Sequence, residues 1–353
     1  MSNLTITTST GSYPVTIGGD HVREALADAA VILIDPAVPS VITPDGIPVI
    51  EVIGTEASKT LAGCERVLVQ MREAGVRRGD LVVAVGGGVV QDVATLVSSL
   101  YMRGLPWVYA PTTLMAMADS CVGGKSAINV GKIKNLVGNI YPPRSVSIDP
   151  GFISSLPTKA VVAGLCEAVK ICFCRGDESF RGYLELAGEP FESGEESGRA
   201  ALLAHVLDAK RWFIEVDEFD KRERLQLNFG HSFGHAFEAA SGFMLPHGVA
   251  VGIGVLAAAA HPAASGPLLS EFGDYVVELL EPVTDLLAPA YRDSDWDSFR
   301  AALAADKKNA HGRLRLILPV ASGGVDFVEL PLDDESLAAS EECVHQAFRQ
   351  VLG

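Results

Sequence analysis

Basic residues are scarce in this chain. Lys and Arg number 28 against 44 Asp and Glu, a formal net charge of −16, and a surface of that sign repels phosphodiester backbones and anionic lipid headgroups. No nucleic-acid or membrane partner is therefore expected. Long apolar runs are missing too: the longest, residues 249–260, has 12 residues, short of the roughly 20 that cross a bilayer. Residues 1–10 are polar and lack the basic-then-apolar order of a secretory leader. The six cysteines (Cys64, Cys121, Cys166, Cys172, Cys174 and Cys343) lie mostly in apolar stretches without disulfide-framework spacing. Cys172-x-Cys174 has no second pair to complete a zinc knuckle, so buried free thiols in a cytoplasmic protein are expected. What is present is ordinary for a globular protein, 48% hydrophobic and 20% charged, and 353 residues suit two packed domains.

The first half alternates strand-like and helix-like segments. Residues 31–34, 81–85 and 107–110 are short apolar runs of the kind buried strands show. Residues 58–74 and the stretch from Gly88 to Leu100 have helical apolar spacing between them. Strand, turn and helix repeating in this way predicts a mostly parallel sheet with helices on its faces. After Asp149-Pro150-Gly151 the texture changes to Ala- and Leu-rich helical segments over 160–173, 198–216, 230–240, 248–260 and 268–287, with a β-like run only at 314–318. We place a domain boundary near residue 150, with an α/β domain over 1–150 and a mainly helical one over 151–353. The acidic stretch 189–196 is expected to be a solvated loop.

Three sets of residues could carry chemistry. Gly86-Gly-Gly-Val-Val-Gln-Asp92 falls between a predicted strand and a predicted helix, where glycines let backbone approach a pyrophosphate and a helix N-terminus offers free N–H groups. It is not G-x-G-x-x-G, and a plain tight turn would look the same; its place at a strand's carboxyl end is what favours a ligand. His231-x-x-x-His235 puts two imidazoles on one helix face, with His247 beyond a Leu245-Pro246 break and Glu167 on an earlier helix. One Glu and two His would leave open positions on a catalytic metal. Two half-exposed histidines are the plain alternative, and Ser232 excludes an H-E-x-x-H protease. Finally, Arg103, Lys125, Lys134, Lys170, Lys210, Arg224, Lys307 and Lys308 sit beside glycines or in apolar settings, which is costly for a cation without a partner. Together they suit a substrate bearing phosphate and carboxylate.

These motifs, with Pro111-Thr-Thr-Leu114, Asp119-Ser-Cys-Val-Gly-Gly-Lys125, Lys134-Asn135, Leu227-Asn-Phe-Gly-His231 and Asp306-Lys-Lys308, occur in one order over nearly the whole chain. In that order they resemble the sugar-phosphate cyclase superfamily, and within it the 3-dehydroquinate synthases. The resemblance implies an N-terminal Rossmann-like NAD-binding domain and a C-terminal, mainly α-helical metal-binding domain. It implies cofactor contacts from Asp35, Glu56, Lys59, Gly87, Gly88, Asp92, Thr112 and Thr113, with Lys125, Lys134 and Ser155 also on that side. Glu167, His231 and His247 match the ligands of a divalent metal, zinc or cobalt. Arg103, Asp119, Lys125, Asn135, Lys170, Lys210, Arg224, Asn228, His235 and one of Lys307 or Lys308 match the substrate pocket. His235 thus becomes a substrate and proton-transfer residue. The implied reaction removes phosphate and closes a ring, with NAD taking a hydride and returning it, in a cytoplasmic homodimer.

The sequence also departs from that pattern. Gln91 stands where the resembled family has Gly before the Asp, and Thr95-Leu96 where it has Gly-Phe. Relatives acting on sedoheptulose 7-phosphate or an amino analogue share the scaffold, as do metal-dependent alcohol dehydrogenases of glycerol dehydrogenase type. Sedoheptulose 7-phosphate has no carboxylate, so it would leave Arg224 or Lys210 without a counter-charge. The retained cations therefore favour 3-deoxy-arabino-heptulosonate 7-phosphate as substrate.

Overall fold

The computed structural model describes residues 2–38, 41, 43–131, 133–306 and 308–353. The chain divides into two compact units: Met1–Leu156 with Glu185–Phe219, and Pro157–Leu184 with Asp220–Gly353.

Among the described residues the first unit has nine strands: β1 (Ser2–Thr8), β2 (Gly11–Ile17), β3 (Val31–Ile34), β4 (Val49–Glu51), β5 (Val82–Gly86), β6 (Trp107–Pro111), β7 (Ile128–Val130), β8 (Ile133–Val137) and β9 (Ser145–Ile148). Seven of them form one sheet in the order β1-β2-β9-β6-β5-β3-β4, parallel throughout except for the β1–β2 hairpin. Every residue of β3, β5 and β6 is buried, as expected of parallel strands covered on both faces. The expected strands at 31–34, 81–85 and 107–110 are these three. Helices α1 (His21–Ala27), α2 (Leu61–Glu73) and α3 (Gly88–Leu100) connect the strands. The separate β7–β8 pair and the N-terminal hairpin were not expected, because β1 and β8 carry too much polar residue to stand out as apolar runs.

In the second unit α4 (Thr158–Arg175) leads into α5 (Asp177–Ala187), which crosses to the first unit; there follow α6 (Glu189–Glu192) and α7 (Glu196–Val216). The second unit resumes with α8 (His231–Ala240), α9 (His247–Ala260), α10 (Leu269–Leu280), α11 (Thr284–Arg292), α12 (Trp296–Ala304), the antiparallel hairpin β10 (Arg313–Pro319) and β11 (Val325–Pro331), and α13 (Asp334–Leu352). The helix expected over 268–287 is two helices, interrupted at Glu281–Val283 where Pro282 has no N–H to donate. The acidic stretch 189–196 is not wholly loop, since it holds α6 and the first residue of α7.

The boundary near residue 150 needs one correction. Residues 185–219 belong with the sheet and not with the helical unit. α7 buries an apolar face, including Leu203, Val206 and Phe213, and two exposed bonds also tie the segment to the N-terminal hairpin. The Thr7 N–H donates to Glu215 Oε1 at 3.0 Å, and the Ser9 N–H to Glu218 Oε2 at 2.7 Å. All six cysteines are free and buried, as expected.

Candidate active site

In the first unit Asp35, Gly86–Gly88, Thr112 and Thr113 lie at the carboxyl ends of β3, β5 and β6, the edge at which open parallel sheets bind ligands, whereas Arg103 precedes β6 at its amino end. Asp35 follows β3, with its N–H donating to the Val85 carbonyl at 3.0 Å. Gly54 lies so close that a Cβ there would fall 2.0 Å from Asp35 Oδ2. Gly86 ends β5, Gly87 precedes α3, and Gly88 begins it. A Cβ on Gly87 would come 3.0 Å from the Thr113 side chain, so only glycine fits comfortably between that threonine and the helix start. Gly88 is more open, its nearest neighbour being the Ser120 hydroxyl at 3.9 Å from a Cβ. Thr112 is buried, its N–H donating to the Gly86 carbonyl at 3.0 Å. These glycines put backbone N–H groups at the N-terminus of α3, a setting that favours an anion.

Beside it Lys59 is buried, with Nζ 3.0 Å from Asp92 Oδ2 and 3.5 Å from Glu56 Oε1. Asp92 Oδ1 accepts from the Ala127 N–H at 2.9 Å. Burial pushes the Asp92 carboxyl up, against the pull of Lys59. Asn129 was not singled out from sequence: its Nδ2 donates to Glu56 Oε1 at 2.8 Å and its Oδ1 accepts from the Asn135 N–H at 2.9 Å, so it fixes the hairpin residue Asn135. Asp119 lies in a π-helical turn, Ala116–Ser120, and its Oδ1 is 2.6 Å from Lys210 Nζ on α7. Arg103 is exposed and follows Met102 in the left-handed region (φ 72° and 48°), a strained pair for side-chain-bearing residues. Lys134 and Asn135 are exposed on β8, and Lys125 is half-buried. Ser155 is also exposed, and its hydroxyl donates to the Phe152 carbonyl within its own turn.

The second unit gathers the histidines. Small residues on α9 let its neighbours approach: a Cβ on Gly254 would lie 2.1 Å from the Gly230 carbonyl, and one on Gly248 2.1 Å from the Ala163 carbonyl. That closeness brings α4, α8 and the start of α9 together around Glu167, His231, His235 and His247. Ligand nitrogens of the three histidines lie within 4.8 Å of one another. Glu167 Oε1 is 3.7 Å from His231 Nε2 and 3.5 Å from His247 Nε2. Its other oxygen, Oε2, is 2.5 Å from Lys170 Nζ, a contact of charge whose angles are not those of a hydrogen bond. One carboxylate and imidazole nitrogens in one cluster fit a divalent ion of zinc or cobalt type.

Burial first, and then the charge of Lys170, holds His231 well below the usual histidine range. His235 is pushed down to about 4 by desolvation and by His247. His235 is exposed whereas His231 is half-buried, so this depression is the softer of the two. Burial also opposes a proton on His247, but the hydrogen bond to Glu238 and the charges of Glu167 and Glu238 outweigh it and raise its pKa. Glu238, with Oε1 3.3 Å from His247 Nδ1, was missed from sequence. The signal was there: Glu238 follows His235 by three places and shares its helix face. Lys308 pairs with Asp306 at 2.7 Å, and the charges of both act on His235. Arg224 is buried in the turn Glu223–Asn228, whose last residue donates from Nδ2 to the Leu225 carbonyl at 3.0 Å. Lys307 lies outside the described residues.

Comparison with known proteins fits this constellation. The N-terminal 3-dehydroquinate synthase family model matches residues 49–163 and the C-terminal one residues 164–309. A 3-dehydroquinate synthase from Methylococcus capsulatus is 35% identical over 305 residues, covering 86% of this chain and 82% of that protein. The chain belongs to the 3-dehydroquinate synthase family. A second member, from Sulfurovum, is 33% identical over 89% of this chain and 84% of its own length. The fold is shared more widely. A 2-deoxy-scyllo-inosose synthase, solved with carbaglucose-6-phosphate, NAD+ and Co2+, superposes with TM-score 0.79 at 22% identity, covering 98% of this chain and 99% of that one. A probable glycerol dehydrogenase from Sinorhizobium meliloti superposes at 0.61 and 15% identity, covering 96% and 97%. For a 3-dehydroquinate synthase family member, no helix among the described residues is long and apolar enough to cross a membrane.

Proposed function

We propose that this chain converts 3-deoxy-arabino-heptulosonate 7-phosphate to 3-dehydroquinate with release of phosphate, using NAD and one divalent metal ion, zinc or cobalt. The observation that carries the reading is identity of 33% to 37% with 3-dehydroquinate synthases over most of their length. Glu167, His231 and His247 would hold the metal, one carboxylate oxygen lying 3.7 and 3.5 Å from the two imidazole nitrogens. When bound, the metal supplies Lewis acidity toward substrate oxygens and NAD a reversible hydride acceptor. Asp35, Glu56, Lys59, Gly87, Gly88, Asp92, Thr112 and Thr113 are the residues we assign to NAD, with Lys125, Lys134 and Ser155 on the same side.

The chain's own work on the substrate is charge recognition and proton handling. Arg224 suits a carboxylate by paired N–H donors, while Lys170, Lys210 and Lys308 supply point charges for phosphate and hydroxyl oxygens. Arg103, Lys125, Asn135 and Asn228 complete the polar set. His235, neutral and reachable from solvent, is suited to take a proton and return it. Holding one molecule through several steps makes orientation a large part of the catalysis. We further assign a cytoplasmic homodimer, which sedimentation at micromolar concentration tests.

The deciding measurement is phosphate release with NAD and metal present. Heptulosonate phosphate should turn over without net NADH. Net NADH would mark a dehydrogenase of glycerol dehydrogenase type. Turnover of sedoheptulose 7-phosphate but not of the heptulosonate would overturn the carboxylate argument.

A further inference from the structure

Gln91, one turn into α3, is 3% exposed, and Ser120 satisfies both ends of its amide. Its Nε2 donates to the Ser120 carbonyl at 2.5 Å, and its Oε1 accepts from the Ser120 hydroxyl at 2.5 Å. Ser120 closes the π-helical turn Ala116–Ser120, marked by the Cys121 N–H donating to the Ala116 carbonyl at 3.0 Å. Such turns leave their last carbonyls without partners in the helix. Gln91 is thus a cap delivered from another helix.

The residue just before Ser120 gives the cap its consequence. Lys210 Nζ lies 2.6 Å from Asp119 Oδ1 and also donates to the Asp119 carbonyl oxygen. The Lys210 side chain is only 6% exposed, and these two oxygens of one residue hold its ammonium. A shift of the turn moves both oxygens together. We propose that Gln91 is a positioning residue: by holding Ser120 at both ends it fixes the Asp119 oxygens and, through them, the Lys210 ammonium. A glycine or alanine at 91 could make neither bond. A glutamate would fit the space but would set an oxygen against the Ser120 carbonyl. The proposal rests on the reading of Lys210 as a substrate-binding group, so its test includes a readout that needs no substrate.

The experiment uses the full chain loaded with NAD and zinc, as wild type, Gln91→Ala, Gln91→Glu and Ser120→Ala. Acylation of Lys210 by limiting acetic anhydride is followed by peptide mass spectrometry, with Lys170 as the internal control. Loss of one buried hydrogen-bonded anchor corresponds to about a tenfold change in an equilibrium. Gln91→Ala and the isosteric Gln91→Glu should therefore each raise Lys210 labelling severalfold without changing Lys170. Ser120→Ala keeps the carbonyl bond and should have the smaller effect. With heptulosonate phosphate the same two Gln91 variants should raise KM more than they lower kcat. Unchanged Lys210 labelling in either folded Gln91 variant overturns the proposal. A parallel rise at Lys170 also overturns it, because that marks general loosening. If wild type releases no phosphate, the functional reading fails while the labelling still decides the role of Gln91.

Discussion

Replacing Lys170 with Met tests how the histidine site tolerates its own carboxylate. Glu167 and Lys170 are one helical turn apart on α4, their side chains 2% and 3% exposed and their charges 2.5 Å apart. Met retains most of the volume of the lysine stem, so the change removes charge more than packing. Removing one partner of a buried ion pair costs about 3–5 kcal/mol, because the other charge stays buried without it. With metal chelated, the urea midpoint of Lys170→Met should fall by that equivalent. A divalent ion on Glu167 Oε1 would replace the lost counter-charge and, with Lys170 gone, meet no repulsion from it. Zinc should therefore stabilise the variant more than wild type, above the roughly 2.7 kcal/mol that any ligand at 100 times its Kd provides. Urea unfolding in chelator and at fixed free zinc, with calorimetry of zinc binding, measures both quantities. A chelated variant within about 1 kcal/mol of wild type would refute the reasoning, since Glu167 would then not depend on Lys170. Equal zinc stabilisation of the two proteins would refute the link to the metal.

Four further outcomes follow from the same geometry. Glu238→Gln removes the charge behind His247, and loss of such a supporting carboxylate weakens metal binding about 10- to 100-fold, readable by competition with a chromophoric chelator. Gly254→Ala puts a methyl 2.1 Å from one backbone oxygen and 2.8 Å from the Gly234 nitrogen; because backbone cannot swing aside, the loss should reach about 3 kcal/mol or more in urea unfolding. Asp92→Asn should leave Lys59 without its nearest charge and weaken NAD binding measured by calorimetry, without changing metal content. Unfolded histidines titrate near 6.5, whereas His231 is held well below that value in the fold. The unfolded chain thus binds the extra proton, and the metal-free protein should lose stability as pH falls below about 6.5. His247, raised, acts with the opposite sign, so the diagnostic is a flatter melting-temperature profile between pH 7 and 5 in His231→Gln than in wild type.

Much of this was legible because some residues can serve in only one setting. The runs that became β3, β5 and β6 are apolar at every position, which only a strand covered on both faces requires. His231 and His235 sit four apart on one helix, so local spacing alone put them on one face; Glu167 and Lys170, three apart, offered the same signal but were named separately. The membership of α7 was not legible. Its Ala- and Leu-rich pattern announces a buried face, but periodicity does not say which unit covers that face. Contacts between distant segments were equally silent: Gln91 and Ser120 are 29 positions apart, and Asn129 is 73 from Glu56. An amide shows its partner only in three dimensions.

Lys170, Lys210 and Lys308, noticed for their awkward surroundings, and Lys59, which the family resemblance brought in, share one solution. Lys59 is paired with Asp92, Lys170 with Glu167, Lys210 with Asp119 and Lys308 with Asp306, at 3.0, 2.5, 2.6 and 2.7 Å. Each pair is made within a single compact unit. Each lysine is therefore held by a carboxylate oxygen before any ligand arrives, and none bears the several-kcal/mol cost of a buried cation alone. An incoming phosphate or carboxylate meets ammonium groups already oriented by an oxygen, so it need not order them. The same pairing sets a threshold, because a ligand oxygen must compete with a resident carboxylate for the ammonium's donors. Phosphate and carboxylate can do so through charge-assisted bonds, whereas a neutral hydroxyl competes poorly. Neutralising one resident carboxylate, as in Asp119→Asn, should then lower that threshold. Inhibition by inorganic phosphate should tighten in Asp119→Asn even as turnover falls, and weaker phosphate inhibition there would show that Asp119 recruits the anion instead of competing with it.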